Sequence, residues 1–303
     1  MLSRADRADN GGVEPEVLEV ALPDVRLSCL AWGPADGPLV VALHGFPDTA
    51  WTWRYLGPHL AGLGWRVVAP FLRGYAPSGL ASSYHVGALA ADAVALHGEL
   101  GGDDRTVLVG HDWGAIIANA LGAHPDSPYR RVVTLAVPPL GAMNGAPVRL
   151  VPRQLRLSWY TLFNQLPALP ERTVDHWLPR LWRDWSPGYD AAEDVALVRA
   201  SWPTREHVRA AVGYYRSIRA PWRVPPAYRP WARTLDGIPT VPQLCLHGAD
   251  DGCLQRGYAE HAAGRLPGTA RFVLVADAGH FLQVERPDVV NALVAEFVEG
   301  GPN

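Results

Sequence analysis

The chain has 303 residues, 48% hydrophobic and 19% charged, with a formal net charge of −3. That composition suits one large domain, or a domain with a sizeable insertion, and excludes disorder over most of the length. All 27 basic residues are Arg, so lysine Schiff bases, lysine-anchored pyridoxal phosphate and a P-loop lysine are ruled out. The near-neutral balance argues against a nucleic-acid partner. Cys29, Cys245 and Cys253 form neither a disulfide framework nor a zinc-ligand spacing, so no metal is expected. No apolar run approaches the ~18 residues of a membrane span, and the polar start Met1–Gly12 lacks the apolar stretch of a signal peptide. The expectation is a cytoplasmic protein with no membrane partner; oligomeric state is not readable.

In chain order, Val17–Ala21 and Arg26–Trp32 read as strands separated by the turn signal Pro23-Asp24. Pro38–Leu43 is a continuous apolar run, as expected of a strand buried on both faces. Leu56–Gly64 reads as helix, Trp65–Pro70 as strand, Val86–Leu100 as helix and Thr106–Gly110 as a second buried strand. Ala115–Ala123 follows as helix and Val132–Val137 as strand. This alternation predicts an α/β fold with a mostly parallel sheet covered by helices on both faces. From Pro138 to Asp236 the rhythm stops; this stretch holds seven of the 12 Trp and reads as a helical insertion. The sheet resumes with Val241–His247, a helix over Glu260–Leu266 and a last strand at Arg271–Val275. Pro287–Glu299 closes the chain as an amphipathic helix. The expected domains are therefore a core, 1–137 with 237–303, and a helical cap, 138–236.

Val109-Gly110-His111-Asp112-Trp113-Gly114 joins a strand to a helix. Gly-x-Asp-x-Gly is the spacing of a nucleophile elbow with aspartate where hydrolases usually carry serine. A sharp turn presents the central side chain at the carboxyl end of the sheet, and small flanking residues allow close chain approach. A carboxylate is ionised at neutral pH and displaces a leaving group from saturated carbon, giving an ester that water cleaves.

From about Glu19 to Val298 the chain resembles the α/β-hydrolase fold family, in its group of epoxide hydrolases and haloalkane dehalogenases. The resemblance implies an eight-stranded sheet with an inserted cap, and no cofactor. His44-Gly45-Phe46-Pro47 resembles the family's His-Gly-x-Pro loop, which implies an oxyanion hole from the N–H groups of Phe46 and Trp113 and a cis Phe46–Pro47 bond. His247-Gly248-Ala249-Asp250-Asp251 resembles the segment carrying the acid, which selects Asp251 with Asp250 as the rival. Gly279-His280 resembles the block carrying the base, so His280 would activate water. His44, His111 and His247 are expected in structural or loop-positioning roles. Pro70–Ser78 departs from its family loop, which usually has Asp where Phe71 stands and Gly at Ala76.

In the cap, Trp159-Tyr160-Thr161 resembles the segment with the first epoxide-opening tyrosine, selecting Tyr160. Gly213-Tyr214-Tyr215-Arg216 resembles the second, selecting Tyr215 with Tyr214 as alternative. A protonated phenol donates to an opening epoxide without adding formal charge. The implied activity is epoxide hydrolysis to a vicinal diol through an Asp112 ester, on a small apolar epoxide with water. Dehalogenases share Asp112, His280 and Trp113 but commonly add an Asn or a second Trp as halide donor, and Phe46 stands where many carry a polar residue. Haloacetate dehalogenases follow the nucleophile with Arg, where this chain has Trp113. The non-enzyme reading is a small-ligand-binding protein that keeps the fold without turnover.

Overall fold

The computed structural model describes residues 14–300; the polar segment Met1–Gly12 lies outside them. One eight-stranded sheet runs in the order β1-β2-β4-β3-β5-β6-β7-β8. Its strands are β1 (Glu16–Ala21), β2 (Arg26–Trp32), β3 (Leu39–Leu43), β4 (Arg66–Pro70), β5 (Val107–His111), β6 (Arg131–Leu135), β7 (Gln243–Gly248) and β8 (Ala270–Val275). β1 and β2 pair antiparallel, and β2 meets β4 antiparallel; every pairing from β4 to β8 is parallel.

Every residue of β3, β5 and β7 is buried, because helices cover both faces of the parallel part. Between β6 and β7 the described chain contains helices and no strand, including Val151–Leu157, Trp159–Phe163, Val174–Trp185 and Arg205–Ile218. No helix among the described residues is long and apolar enough to cross a membrane.

Most element ends differ from the sequence reading by one or two residues, and three of the differences have a visible cause. The helix after β5 starts at Trp113, two residues early, because Asp112 alone makes the turn and Ile116 N–H already donates to Asp112 O at 3.0 Å. β6 stops at Leu135 rather than Val137 because Ala136 takes a positive φ of 68°. The helix expected over Glu260–Leu266 spans Arg256–Ala263. Its entry is held from outside: Gln255 N–H donates to Gln154 Oε1 at 3.0 Å, a contact 101 residues away in sequence.

The loop 71–79 that departs from the family pattern is built around buried Arg73. Its guanidinium meets Asp92 through two hydrogen bonds, 2.7 and 2.6 Å, and reaches Asp24 at 2.9 Å. Ser78 Oγ–H donates to Phe71 O at 2.6 Å. Ala76–Pro77 is cis, as is the expected Phe46–Pro47 bond.

Candidate active site

Asp112 sits between β5 and the helix Trp113–Gly122 with φ 51° and ψ −111°, a backbone conformation unfavourable for any residue with a Cβ. The surrounding glycines explain why it is tolerated. A Cβ on Gly110 would collide with Gly114 O, and one on Gly114 with Leu43 O; one on Gly45 would meet the Asp112 side chain. The chain thus passes close on three sides and turns the carboxylate toward the carboxyl edge of the sheet. Phe46 N–H donates to Asp112 Oδ1 at 2.7 Å. Trp113 opens the following helix, so its N–H lies in the first turn, where backbone donors have no intrahelical acceptor.

On the other side of Asp112, His280 Nε2 lies 3.5 Å from Asp112 Oδ2, and His280 Nδ1 lies 2.9 Å from Asp251 Oδ2. The second Asp251 oxygen accepts from the N–H groups of Cys253 and Leu254 at 2.7 and 2.9 Å. Of the two adjacent acids, Asp251 is buried against the imidazole and Asp250 is exposed. Trp185 O accepts from both His280 N–H and Gly252 N–H at 3.0 Å, tying the base loop and the acid loop to one carbonyl of the helical segment.

Desolvation lowers the pKa of buried His280, but Asp251 and Asp112 outweigh it and raise the group from 6.5 to about 10. Asp251 is lowered: burial opposes ionisation, and His280 beside it reverses the balance. The other candidate histidines take loop-holding places. His44 Nε2 accepts from Leu72 N–H at 3.0 Å, and burial pushes its pKa to about 4. His111 Nε2 lies 3.0 Å from His280 O, its pKa driven down to about 3 by burial and the neighbouring His280. His247 sits between Ala136 O at 2.8 Å and Leu254 O at 3.1 Å.

The helical segment brings Tyr160 and Tyr215 to the same cavity as the carboxylate. Their rings meet edge to face at 5.5 Å, and Tyr215 packs against Trp113 at 5.1 Å and Phe46 at 4.9 Å. The Tyr160 hydroxyl lies 3.3 Å from Cys253 Sγ. The Trp113 indole and the Tyr160 hydroxyl lie near the Tyr215 hydroxyl, yet neither reaches hydrogen-bond geometry, so this buried group has no partner. Burial raises the pKa of both phenols well above 10, with the Asp112 charge adding to it. Tyr214 points elsewhere and donates to Arg73 O at 2.8 Å. Position within the Tyr-Tyr pair is thus decided by which face of the helix Arg205–Ile218 each residue occupies.

Asp112, Trp113, Tyr160 and Tyr215 line a cavity of about 350 Å³. Cys253 lines it too, a residue the sequence reading left unassigned. Its thiol, one Asp251 oxygen and one His280 nitrogen lie within 4.8 Å of one another. Each already has a partner, Asp251 with His280 and Cys253 with Tyr160, so this is an acid–base pair beside a thiol and not an open ligand set.

The α/β-hydrolase fold model matches residues 38–287. Epoxide hydrolase A of Mycobacterium tuberculosis is 31% identical over 91% of this chain and 95% of its own length. The crystal structure of epoxide hydrolase A from Mycobacterium thermoresistibile superposes with a TM-score of 0.76 at 28% identity, covering 94% of this chain and 98% of that one. A haloalkane dehalogenase variant from Bradyrhizobium elkanii gives the same TM-score at 24% identity, over 94% and 95% of the two chains, a likeness of fold. The chain therefore belongs to the α/β-hydrolase fold family, in the group that holds the epoxide hydrolases.

Proposed function

We propose that the protein hydrolyses epoxides to vicinal diols through a covalent ester on Asp112, with the helical insertion 138–236 acting as the cap. The observation that carries this reading is the presence of one carboxylate and two buried phenols on the wall of a single cavity. An Asp112 oxygen attacks an oxirane carbon, the carbon–oxygen bond breaks, and the released electron pair stays on the former ring oxygen. Tyr160 and Tyr215 hydrogen-bond that oxygen, and one of them transfers its proton, giving the hydroxyalkyl ester.

Ester formation removes the Asp112 charge that helps hold His280 at about 10. The imidazolium is then released from one of its two carboxylates and gives up its proton, which restores the phenol. Neutral His280, oriented by Asp251, takes a proton from water as the water oxygen adds to the ester carbonyl. The N–H groups of Phe46 and Trp113 hold the oxyanion, an arrangement worth ~2.7–4 kcal/mol per donor. Collapse expels the diol and regenerates the Asp112 carboxylate. Every atom comes from epoxide and water, and the chemistry calls on no cofactor.

The halide-releasing alternative needs side-chain N–H donors around the leaving group. Among the described residues, Trp113 is the one tryptophan on the cavity wall, while the indoles of Trp177 and Trp182 are spent on Pro170 O and Pro47 O at 2.9 Å each. The test is intact mass of the His280→Gln variant mixed with an epoxide: an adduct of substrate mass is expected, and an unshifted mass in a folded, ligand-binding variant contradicts the proposal. Halide release from haloalkanes or haloacetates with no diol from epoxides would establish the dehalogenase instead. Ligand protection with neither product would leave a binding protein.

A further inference from the structure

Among the described residues, one charged side chain besides Asp112 lines the cavity, and it has no partner. Beyond the reaction centre, the amides and hydroxyls along the cavity are committed to the protein. Gln154 Nε2 donates to Cys253 O at 2.8 Å and to Ser158 Oγ at 3.0 Å, while its oxygen accepts from Gln255 N–H. Gln165 Nε2 donates to Tyr215 O at 3.0 Å, and Thr161 Oγ–H to Ser158 O at 2.7 Å. Arg219 also lines the cavity, is exposed, and makes no ion pair or side-chain hydrogen bond among the described residues. It follows the helix Arg205–Ile218 that carries Tyr215. Arg216, one turn earlier, is the contrast: its guanidinium is consumed by Glu171 at 2.7 Å and by Asn164 O and Leu166 O.

The surroundings leave that positive charge uncompensated. Residues 138–170 contain three Arg and no Asp or Glu; residues 207–235 contain six Arg and again no acid. Both segments line the cavity, the first through Gln154, Thr161 and Gln165 and the second through Tyr215 and Ile218. The segment 138–236 as a whole holds 14 Arg against eight acids, within a chain whose total charge is negative. The wall that the reaction centre and Arg219 share also carries the apolar side chains of Ile116, Leu140, Met143 and Ile218.

We propose that Arg219 forms an anion subsite, so that the preferred substrate is an epoxide joined through an apolar chain to a carboxylate. This rests on the epoxide reading above and adds the substrate class. A guanidinium binds a carboxylate through two parallel N–H donors and keeps its charge at every working pH. The acid-free flanks raise the local concentration of an anion beside Arg219. Because Arg219 is exposed, water screens the contact, and the preference is about two- to fivefold.

The experiment compares a terminal epoxide of a medium-chain carboxylic acid, as carboxylate and as methyl ester, by diol formation with the full chain. The acid-to-ester ratio of kcat/KM is expected at about two to five, carried by KM. It falls to near one in Arg219→Gln or in high salt and is retained in Arg219→Lys. The ratio is internally controlled, since both substrates meet the same fold and the same chemistry. Equal turnover of acid and ester by the unaltered chain overturns the subsite, as does a ratio that Arg219→Gln leaves unchanged. Calorimetric binding of both compounds to Asp112→Asn separates the two claims. Absence of diol from either compound removes the hydrolase reading, while tighter binding of the carboxylate that Arg219→Gln abolishes still supports the subsite, and equal binding overturns it.

Discussion

Replacing Tyr215 by Phe deletes one oxygen and should separate activity from stability. In the resting protein the Tyr215 hydroxyl is buried and has no hydrogen-bond partner, so folding already bears its desolvation without a compensating bond. Removing a buried, unsatisfied polar group relieves ~1–3 kcal/mol of that cost. The gain here falls at the low end, about 1 kcal/mol, because the Trp113 indole and Tyr160 hydroxyl lie near enough to soften it. In a chain of this size that raises Tm by about 2 °C. The rate responds oppositely. The hydroxyl finds its partner when the epoxide oxygen takes up charge, and loss of such a donor costs ~2.7–4 kcal/mol, or roughly 100- to 1000-fold, in the alkylation step. Rapid mixing under single-turnover conditions reads ester formation, and thermal unfolding reads stability. Less than tenfold loss of alkylation rate, or a Tm several degrees lower, would refute the reasoning.

The neighbouring Tyr214→Phe should do the reverse, because that hydroxyl donates to Arg73 O: alkylation stays within about threefold while stability drops by ~1 kcal/mol, read by the same two assays. Asp250→Asn should leave turnover unchanged, whereas Asp251→Asn removes the charge beside His280 and slows ester hydrolysis by roughly 10⁴-fold, as in other triads; steady-state diol formation distinguishes them. The His280 pKa is raised on folding, so its protonated form contributes stability that is complete below about 6.5 and lost as pH rises toward 10. Asp112→Asn removes part of what raises that value, so the loss should still begin near 6.5 but end at a lower pH and be smaller in total. Unfolding curves of both proteins between those limits test it, and superimposable pH profiles would contradict it.

The sheet was legible because its strands are short apolar runs punctuated by turn residues, and parallel strands buried on both faces carry that signature most plainly. Val107–His111 and Leu39–Leu43 are of this kind, every residue buried. The bend at Asp112 was legible from its two glycines, since Gly110 and Gly114 mark where backbone must pass backbone. The ends of elements were harder to read. Ala136 takes a positive φ without a glycine to announce it, and the start of the helix Arg256–Ala263 is held by Gln154, far away in sequence.

The choice between Tyr214 and Tyr215 illustrates the same limit. Adjacent residues on a helix point about 100° apart, so one faces Arg73 and the other the cavity, and only the packing of the whole insertion says which. Cys253 had no local signal at all. It enters the cavity because Asp251 binds its backbone N–H and turns the loop inward. Arg219 is one of 14 Arg in its segment; it stands apart through the partners its neighbours have and it lacks.

The central claim is that Asp112 becomes covalently bonded to substrate and is freed by attack of water on its own carbonyl carbon. One turnover in heavy-oxygen water, with enzyme in excess of a reactive epoxide, followed by mass analysis of the peptide containing Asp112, tests it most directly. The mechanism predicts one heavy oxygen in that carboxylate and none in the diol from the first turnover. Heavy oxygen in the diol with an unlabelled Asp112 peptide would mean that water attacks the epoxide directly, and would contradict the account.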